Sequence, residues 1–303
     1  MMARFFCAAT ALVLVASGAC VSHAKQQKVR GEMLVSAGDL AKMLRDPSLV
    51  LIHVGTKEEY DAGHIPGAQF MDRAALSTPR GEGLTLELPP VEQLERAFEA
   101  IGVGDGSRVV VYWGNDWVTP TARVVFTLDY LGLGDRTAML DGGMPAWKAE
   151  GRPVTAEVAT PKPGSLTPRP RKELVVDAAW VKANGTKPAV ALLDARTVQF
   201  YDGSDAGGMP RAGHIPGAKS APFTSFVEET SGKLKSPEAL RKILTEAGAA
   251  PGDTVASYCH IGQQASLVYF VARYLGYDVR LYDGSFQEWS AREDLPVEGA
   301  RAQ

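Results

Sequence analysis

The feature that most constrains this chain is a repeat. Ala62-Gly63-His64-Ile65-Pro66-Gly67-Ala68 recurs letter for letter as Ala212-Gly213-His214-Ile215-Pro216-Gly217-Ala218, with the two histidines 150 residues apart. Tyr130-Leu131-Gly132 returns as Tyr274-Leu275-Gly276. Asp141-Gly142 with Trp147 returns as Asp283-Gly284 with Trp289 at the same internal spacing, and Val35-Ser36-Ala37 is echoed by Val176-Asp177-Ala178. The offsets drift, as loop insertions would make them, so the chain is two copies of one domain, each longer than a solenoid repeat. Its 303 residues leave room for both, and 45% hydrophobic residues supply a core for each.

Each copy alternates strand-like and helix-like segments. Leu49–Val54 and Val109–Trp113 in the first copy, and Ala189–Leu193 and Thr254–Tyr258 in the second, are short apolar runs. Strands apolar on both faces belong to a parallel sheet covered by helices on either side. Helices are expected at 36–44, 91–101, 122–131, 237–247 and 266–275, with Ser36 and Asp177 as N-caps. The fold class is therefore α/β in two tandem domains, each a mainly parallel sheet flanked by helices. Residues 160–171 are rich in proline and basic residues, which suits neither a helix nor a central strand. The expected layout is a leader over 1–24, a first domain over 30–155, a linker over 156–172 and a second domain over 173–299.

The leader is read from Arg4, the apolar or small run Phe5–Ala19, and Ser22-His23-Ala24, which puts small residues where a signal peptidase cuts. The expected location is periplasmic or secreted. A lipid anchor at Cys20 is the lesser alternative, because Ser17 stands where a lipobox wants leucine. The apolar run is too short for a membrane span, and no later stretch qualifies. Cleavage would remove Cys7 and Cys20 and leave Cys259 as the one cysteine, unable to form an internal disulfide. The net charge of −3 and the lack of a basic block exclude a nucleic-acid footprint.

A duplicated chain is its own control: what both copies share is structural, and what one copy alone has is a candidate for function. His64 and His214 are shared and read as hydrogen-bonded turn histidines, Trp147 and Trp289 as core anchors, and Asp141 and Asp283 as turn caps. Aligning Tyr112 with Tyr258 sets Trp113 opposite Cys259 at the C-terminal end of a strand, where open α/β sheets bind ligands. Cys259-His260-Ile261-Gly262-Gln263-Gln264 then leads into a helix opening near Ala265. Backbone N–H groups and a helix N-terminus around the sulfur favour thiolate, so a lowered cysteine pKa is expected. Gly262 supplies conformational freedom for the curl. No metal-ligand spacing is present.

Asp194-Ala195-Arg196, Gly213 to Ala218, the Cys259 to Gly262 loop, Asp283-Gly284 and Trp289 together resemble the rhodanese family, in its tandem, exported bacterial form. The resemblance spans nearly all of the chain after the leader. It implies an inactive first domain, a catalytic second domain, no cofactor, and a two-step sulfur transfer through a persulfide on Cys259. His260, Ile261, Gly262, Gln263, Gln264 and Ala265 would form the substrate-binding loop. Arg196 would either lend charge or position that loop, and Arg211 is open in the same way. The partners implied are a small sulfur donor and a nucleophilic acceptor, with a protein acceptor as a further option.

Departures are visible. His260 and Ile261 stand where thiosulfate-specific members often carry basic residues, Gln264 replaces the family's usual Thr or Arg, and Phe200 stands where many members carry a second arginine. His53-Val54-Gly55 replaces Asp-Ala-Arg in the first copy. Thiosulfate is the expected donor. 3-Mercaptopyruvate is the alternative, a persulfide carrier serving one protein partner is an alternative of another class, and a purely scaffolding chain is the remaining one.

Overall fold

Strands β1 (Leu34–Val35), β2 (Leu49–Val54), β3 (Gln69–Phe70), β4 (Arg108–Trp113) and β5 (Thr137–Leu140) form one sheet in the order β1-β5-β4-β2-β3. Strands β6 (Val175–Val176), β7 (Val190–Asp194), β8 (Lys219–Ser220), β9 (Thr254–Tyr258) and β10 (Asp278–Tyr282) form a second in the matching order β6-β10-β9-β7-β8. Every pairing in both sheets is parallel. This is a computed structural model, and it describes residues 27–79, 81–115 and 118–299. The expected leader, with Cys7 and Cys20, lies outside the described residues. None of the described helices is long and apolar enough to cross a membrane.

The first domain carries helices α1 (Ala37–Met43), α2 (Lys57–Ala62), α3 (Val91–Ala100), α4 (Val118–Tyr130) and α5 (Gly143–Ala149). The second carries α6 (Ala178–Asn184), α7 (Val198–Tyr201), α8 (Pro237–Glu246), α9 (Gln263–Tyr274) and α10 (Ser285–Ala291). Ser36 and Asp177 accept the N–H of Asp39 and Trp180 at the starts of α1 and α6, each satisfying one orphan donor of the first turn. α4 and α9 begin several residues before the sequence pattern suggests. They are buried nearly all round, so the polar residues that signal a helix start are not required there.

The shared residues anchor each copy identically. His64 and His214 stack on Tyr60 and Tyr201, and their Nδ1 atoms lie 2.7 Å from the carbonyl oxygens of those same tyrosines. Trp147 and Trp289 are buried and donate Nε1–H to Pro153 and Pro296. Asp141 and Asp283 do not act as local turn caps. Each reaches into the other domain, where Asp141 accepts the N–H of Leu234 (2.9 Å) and Asp283 that of Leu88 (2.8 Å).

That exchange is one part of a pseudo-two-fold interface centred on α4 against α9. Phe126 meets Tyr269 edge to face. The arm before each domain crosses onto the other: Arg30 N–H donates to Tyr274 O and Arg171 N–H to Tyr130 O, both at 2.7 Å. Residues 156–171 form no helix or strand. They are nonetheless tied to the first domain, where Leu166 is buried and its N–H donates to Glu99. The core of the second domain's outer layer is continuous with that of the first through this interface, so the two domains share buried surface.

Candidate active site

Cys259 follows β9, a central strand of the second sheet, and the curl from Cys259 to Gly262 ends at the first turn of α9. Gly262 has φ of +84° and serves as the helix N-cap. A Cβ there would also come within 3.0 Å of Arg123 Nη1 and 3.2 Å of Asp283 Oδ1, so both backbone and space require glycine. The loop is pinned from below. Cys259 O accepts the N–H of Phe286, His260 O that of Gln287, and Ser266 Oγ donates to Gly262 O. Cys259 N–H points to Ser285 Oγ at 3.3 Å, and that hydroxyl donates to Tyr282 O. Ser285 has φ of +51°, an uncommon conformation held by these two bonds.

The thiol is fully buried. Burial pushes its pKa up, while the amides of Ala265, Ile261, Gln264 and Gly262, turned toward the sulfur, pull it down. Burial wins, which reverses the lowering expected from the sequence: the loop amides are present as anticipated, but the depth at which β9 delivers the sulfur was not legible. A raised pKa makes the thiolate, the reactive form of any cysteine, scarce at neutral pH. Alkylation of Cys259 by iodoacetamide should therefore speed up about tenfold per pH unit from about pH 6 to 8. Rate measurement across that range checks it. A rate flat above about pH 7 would mean a lowered pKa instead.

The remaining loop residues take distinct places. His260 is half-buried, its ring edge-on to Phe200 at 4.6 Å, and burial, with Arg196 second, holds its imidazole below the ordinary range. Ile261 is half-buried and Ala265 fully buried. Gln263 faces the first domain, 3.5 Å from Arg73 Nη1, and lines a cavity of about 840 Å³ together with Thr56, Phe70, Arg73, Thr78 and Leu86 among others. Gln264 is half-buried, its side chain beside the His260 imidazole.

Of the two roles open to Arg196, its contacts favour positioning. It is buried, donates to both oxygens of Asp194 and to Gly213 O, and lies over the Phe286 ring at 4.1 Å. With its Nε and Nη2 committed, it positions the wall beneath the loop. Arg211 donates to the carbonyls of Ser290, Leu295, Trp289 and Arg292 and is likewise structural.

Sequence reasoning missed the first domain's share. Arg123 on α4 ion-pairs with Asp283 at 2.6 Å beside Gly262 and donates to Leu86 O at 2.7 Å, clamping residues 86–88 over the base of the loop. Leucine, Leu267, holds the matching place on α9, so the comparison between copies already carried the signal. Trp113 fills the corresponding place in the first domain. Its indole lies so close to Gly143 that a Cβ there would sit 2.5 Å from the ring, and Gly232 of the second domain covers it.

The Rhodanese-like domain model matches twice, over residues 36–150 and 177–292. The chain belongs to the rhodanese family. Among its relatives, a thiosulfate sulfurtransferase of Azotobacter vinelandii is 32% identical over 271 residues, 88% of this chain and 97% of that protein. A probable 3-mercaptopyruvate sulfurtransferase of Pseudomonas aeruginosa is 34% identical over 277 residues, 87% and 97% of the two chains. The sulfur carrier protein TtuD of Thermus thermophilus is 32% identical over 88% of this chain and 96% of its own. Among solved structures, wild-type EanB superposes with a TM-score of 0.78 at 25% identity, covering 89% of this rhodanese and 70% of that chain.

Proposed function

We propose that this rhodanese is a thiosulfate sulfurtransferase that carries the transferred sulfur on Cys259. One observation supports it above the others: a single thiol at the end of β9, with four backbone amides converging on it and no second nucleophile in the loop. Cys259 thiolate attacks the outer sulfur of thiosulfate. A new S–S bond forms, the bond to the sulfonate sulfur breaks, and sulfite leaves with its electron pair. The negative charge of the resulting persulfide stays within the amide curl, where preorganised donors stabilise it without reorganisation. Cyanide, or a thiolate, then attacks the outer sulfur, and Cys259 leaves as thiolate, ready for the next cycle.

A second reading has its own support. His260 and Ile261 put no fixed cation beside Cys259, and Nε and Nη2 of Arg196 are taken up by Asp194 and Gly213, which is a poor match to a small dianion. The Pseudomonas relative is named for 3-mercaptopyruvate, a monoanion whose thiol sulfur would reach Cys259 with less charge to neutralise. The TtuD relative is named a sulfur carrier, which keeps a protein acceptor in view. We further propose that residues 1–24 direct export, on the strength of their charge, apolar run and small-residue cleavage site.

Intact mass of the purified protein, before and after thiosulfate, tests the main reading. The expected result is a gain of one sulfur, removed by cyanide with release of thiocyanate. No gain from thiosulfate, with a gain from 3-mercaptopyruvate, would replace the donor and keep the persulfide. The same spectrum reads the N-terminus of protein recovered from an exporting host, which should begin at Lys25.

A further inference from the structure

Among the described residues, two that are not glycine have a left-handed backbone, Leu86 at φ +60° and Ser285 at φ +51°. Both adjoin the loop that begins at Cys259. Ser285 accepts the Cys259 N–H, and Leu86 reaches the loop from the first domain, its carbonyl held at 2.7 Å by Arg123, which lies beside Gly262. Each has a glycine counterpart in the other copy. Gly143 follows Asp141 as Ser285 follows Asp283, two residues on, and has φ of +53°. Gly232 holds the place of Leu86 and has φ of +63°. Equivalent contacts fix that second match. Thr78 N–H donates to Glu87 O as Glu228 N–H does to Lys233 O, and Leu88 N–H donates to Asp283 as Leu234 N–H does to Asp141.

The two glycines share a neighbour. A Cβ on Gly143 would come 2.5 Å from the Trp113 ring, and one on Gly232 would lie 3.4 Å from Trp113 Cζ2. Trp113 stands where the second domain has Cys259, so its indole marks out the space that lies over the sulfur in the second domain. The glycines leave room for that indole. Where a thiol replaces it, the same backbone carries side chains, Ser285 on one side and Leu86 on the other. A leucine in this conformation costs free energy that the surrounding structure must offset, and glycine would remove the cost. The bond from Arg123 to Leu86 O needs no leucine. What leucine alone supplies is its side chain, and Leu86 lines the cavity of about 840 Å³ that Gln263 also borders.

We propose that Leu86 is a specificity-determining residue: its side chain is the wall between Cys259 and that cavity, and it sets the size of the molecule that reaches the sulfur. The proposal rests on Cys259 being the reacting atom. The cavity is wide enough for a peptide-sized thiol. Cys259 itself is fully buried, so selection by size falls on the wall. An aliphatic side chain offers no donor and no charge, which leaves the loop amides as the polar side of the site. Compact sulfur anions and cyanide are the class it admits. A thiol carried on a bulky framework is held back in the cavity.

Alkylation rates at Cys259, read at that residue by peptide mass, test the wall with a compact reagent, iodoacetamide, and a bulky one, N-cyclohexylmaleimide, at one pH. Leu86→Gly installs the residue of the other copy and should raise the bulky-to-compact rate ratio at least about tenfold. Leu86→Phe should lower that ratio by a similar factor. A variant that merely loosened the fold would raise the ratio in both cases, so opposite changes are what a wall produces. An unchanged ratio in Leu86→Gly, or a raised one in both variants, overturns the proposal. This readout needs only the thiol, so it stands apart from the sulfurtransferase reading and from the identity of the donor. In turnover, kcat/KM for glutathione relative to that for cyanide should rise in Leu86→Gly by the same order, and an unchanged ratio there equally counts against the wall.

Discussion

Cys259→Ser should lower the rate of sulfane transfer from thiosulfate to cyanide by at least about 10³-fold, to the uncatalysed background. A hydroxyl is far weaker as a nucleophile at neutral pH, and it cannot form the S–S bond that holds the transferred atom. The substitution is otherwise mild. Serine is smaller than cysteine, the site is enclosed, and the backbone bonds of residue 259 to Ser285 and Phe286 do not involve its side chain. The thermal midpoint should therefore move by no more than about 4 °C. Initial rates of thiocyanate formation and a melting curve on the same preparation decide it. Residual turnover above about 1% of wild type, on folded protein, would place the nucleophile elsewhere.

The second large effect lies far from the sulfur. Asp129→Ala should cost about 3–5 kcal/mol of stability. Asp129 is buried on α4 and faces α9, where it ion-pairs with Arg273, accepts the Tyr269 hydroxyl at 2.6 Å, and also meets Arg171 at 2.9 Å. Removing its carboxylate leaves the Tyr269 phenol without its acceptor and the buried Arg273 guanidinium with only its 3.3 Å contact to the exposed Asp135. Asp129→Asn keeps an acceptor for Tyr269 but loses the charge, so its loss should be smaller. Urea unfolding of both variants measures this; a loss under about 1 kcal/mol for the alanine variant would show that water replaces the carboxylate there.

Asp129 also shows where reading a duplicated sequence stops. The repeat of Tyr130-Leu131-Gly132 at Tyr274-Leu275-Gly276 puts Asp129 and Arg273 in equivalent positions of the two copies. As isolated letters they are a mismatch. Across the pseudo-two-fold axis they meet, where identical charges would repel and opposite ones attract. Asp141 and Asp283 mislead in the opposite way. Both stand before glycine, which suggests a local turn, and both instead bind a backbone N–H of the other domain.

The chain's order alone determined the two α/β copies, the edges of the four central strands β2, β4, β7 and β9 within a residue or so, the caps at Ser36 and Asp177, and the place of Cys259 opposite Trp113. These follow from local patterns: apolar runs, capping side chains, and a repeat that separates shared features from unshared ones. Only the tertiary structure decided the depth of the Cys259 thiol, the commitment of Arg196 to Asp194 and Gly213, and the reach of Arg123 to the loop that follows Cys259. Each of these depends on contacts between residues distant in sequence, and burial, ion pairing and desolvation are set by what the fold brings together.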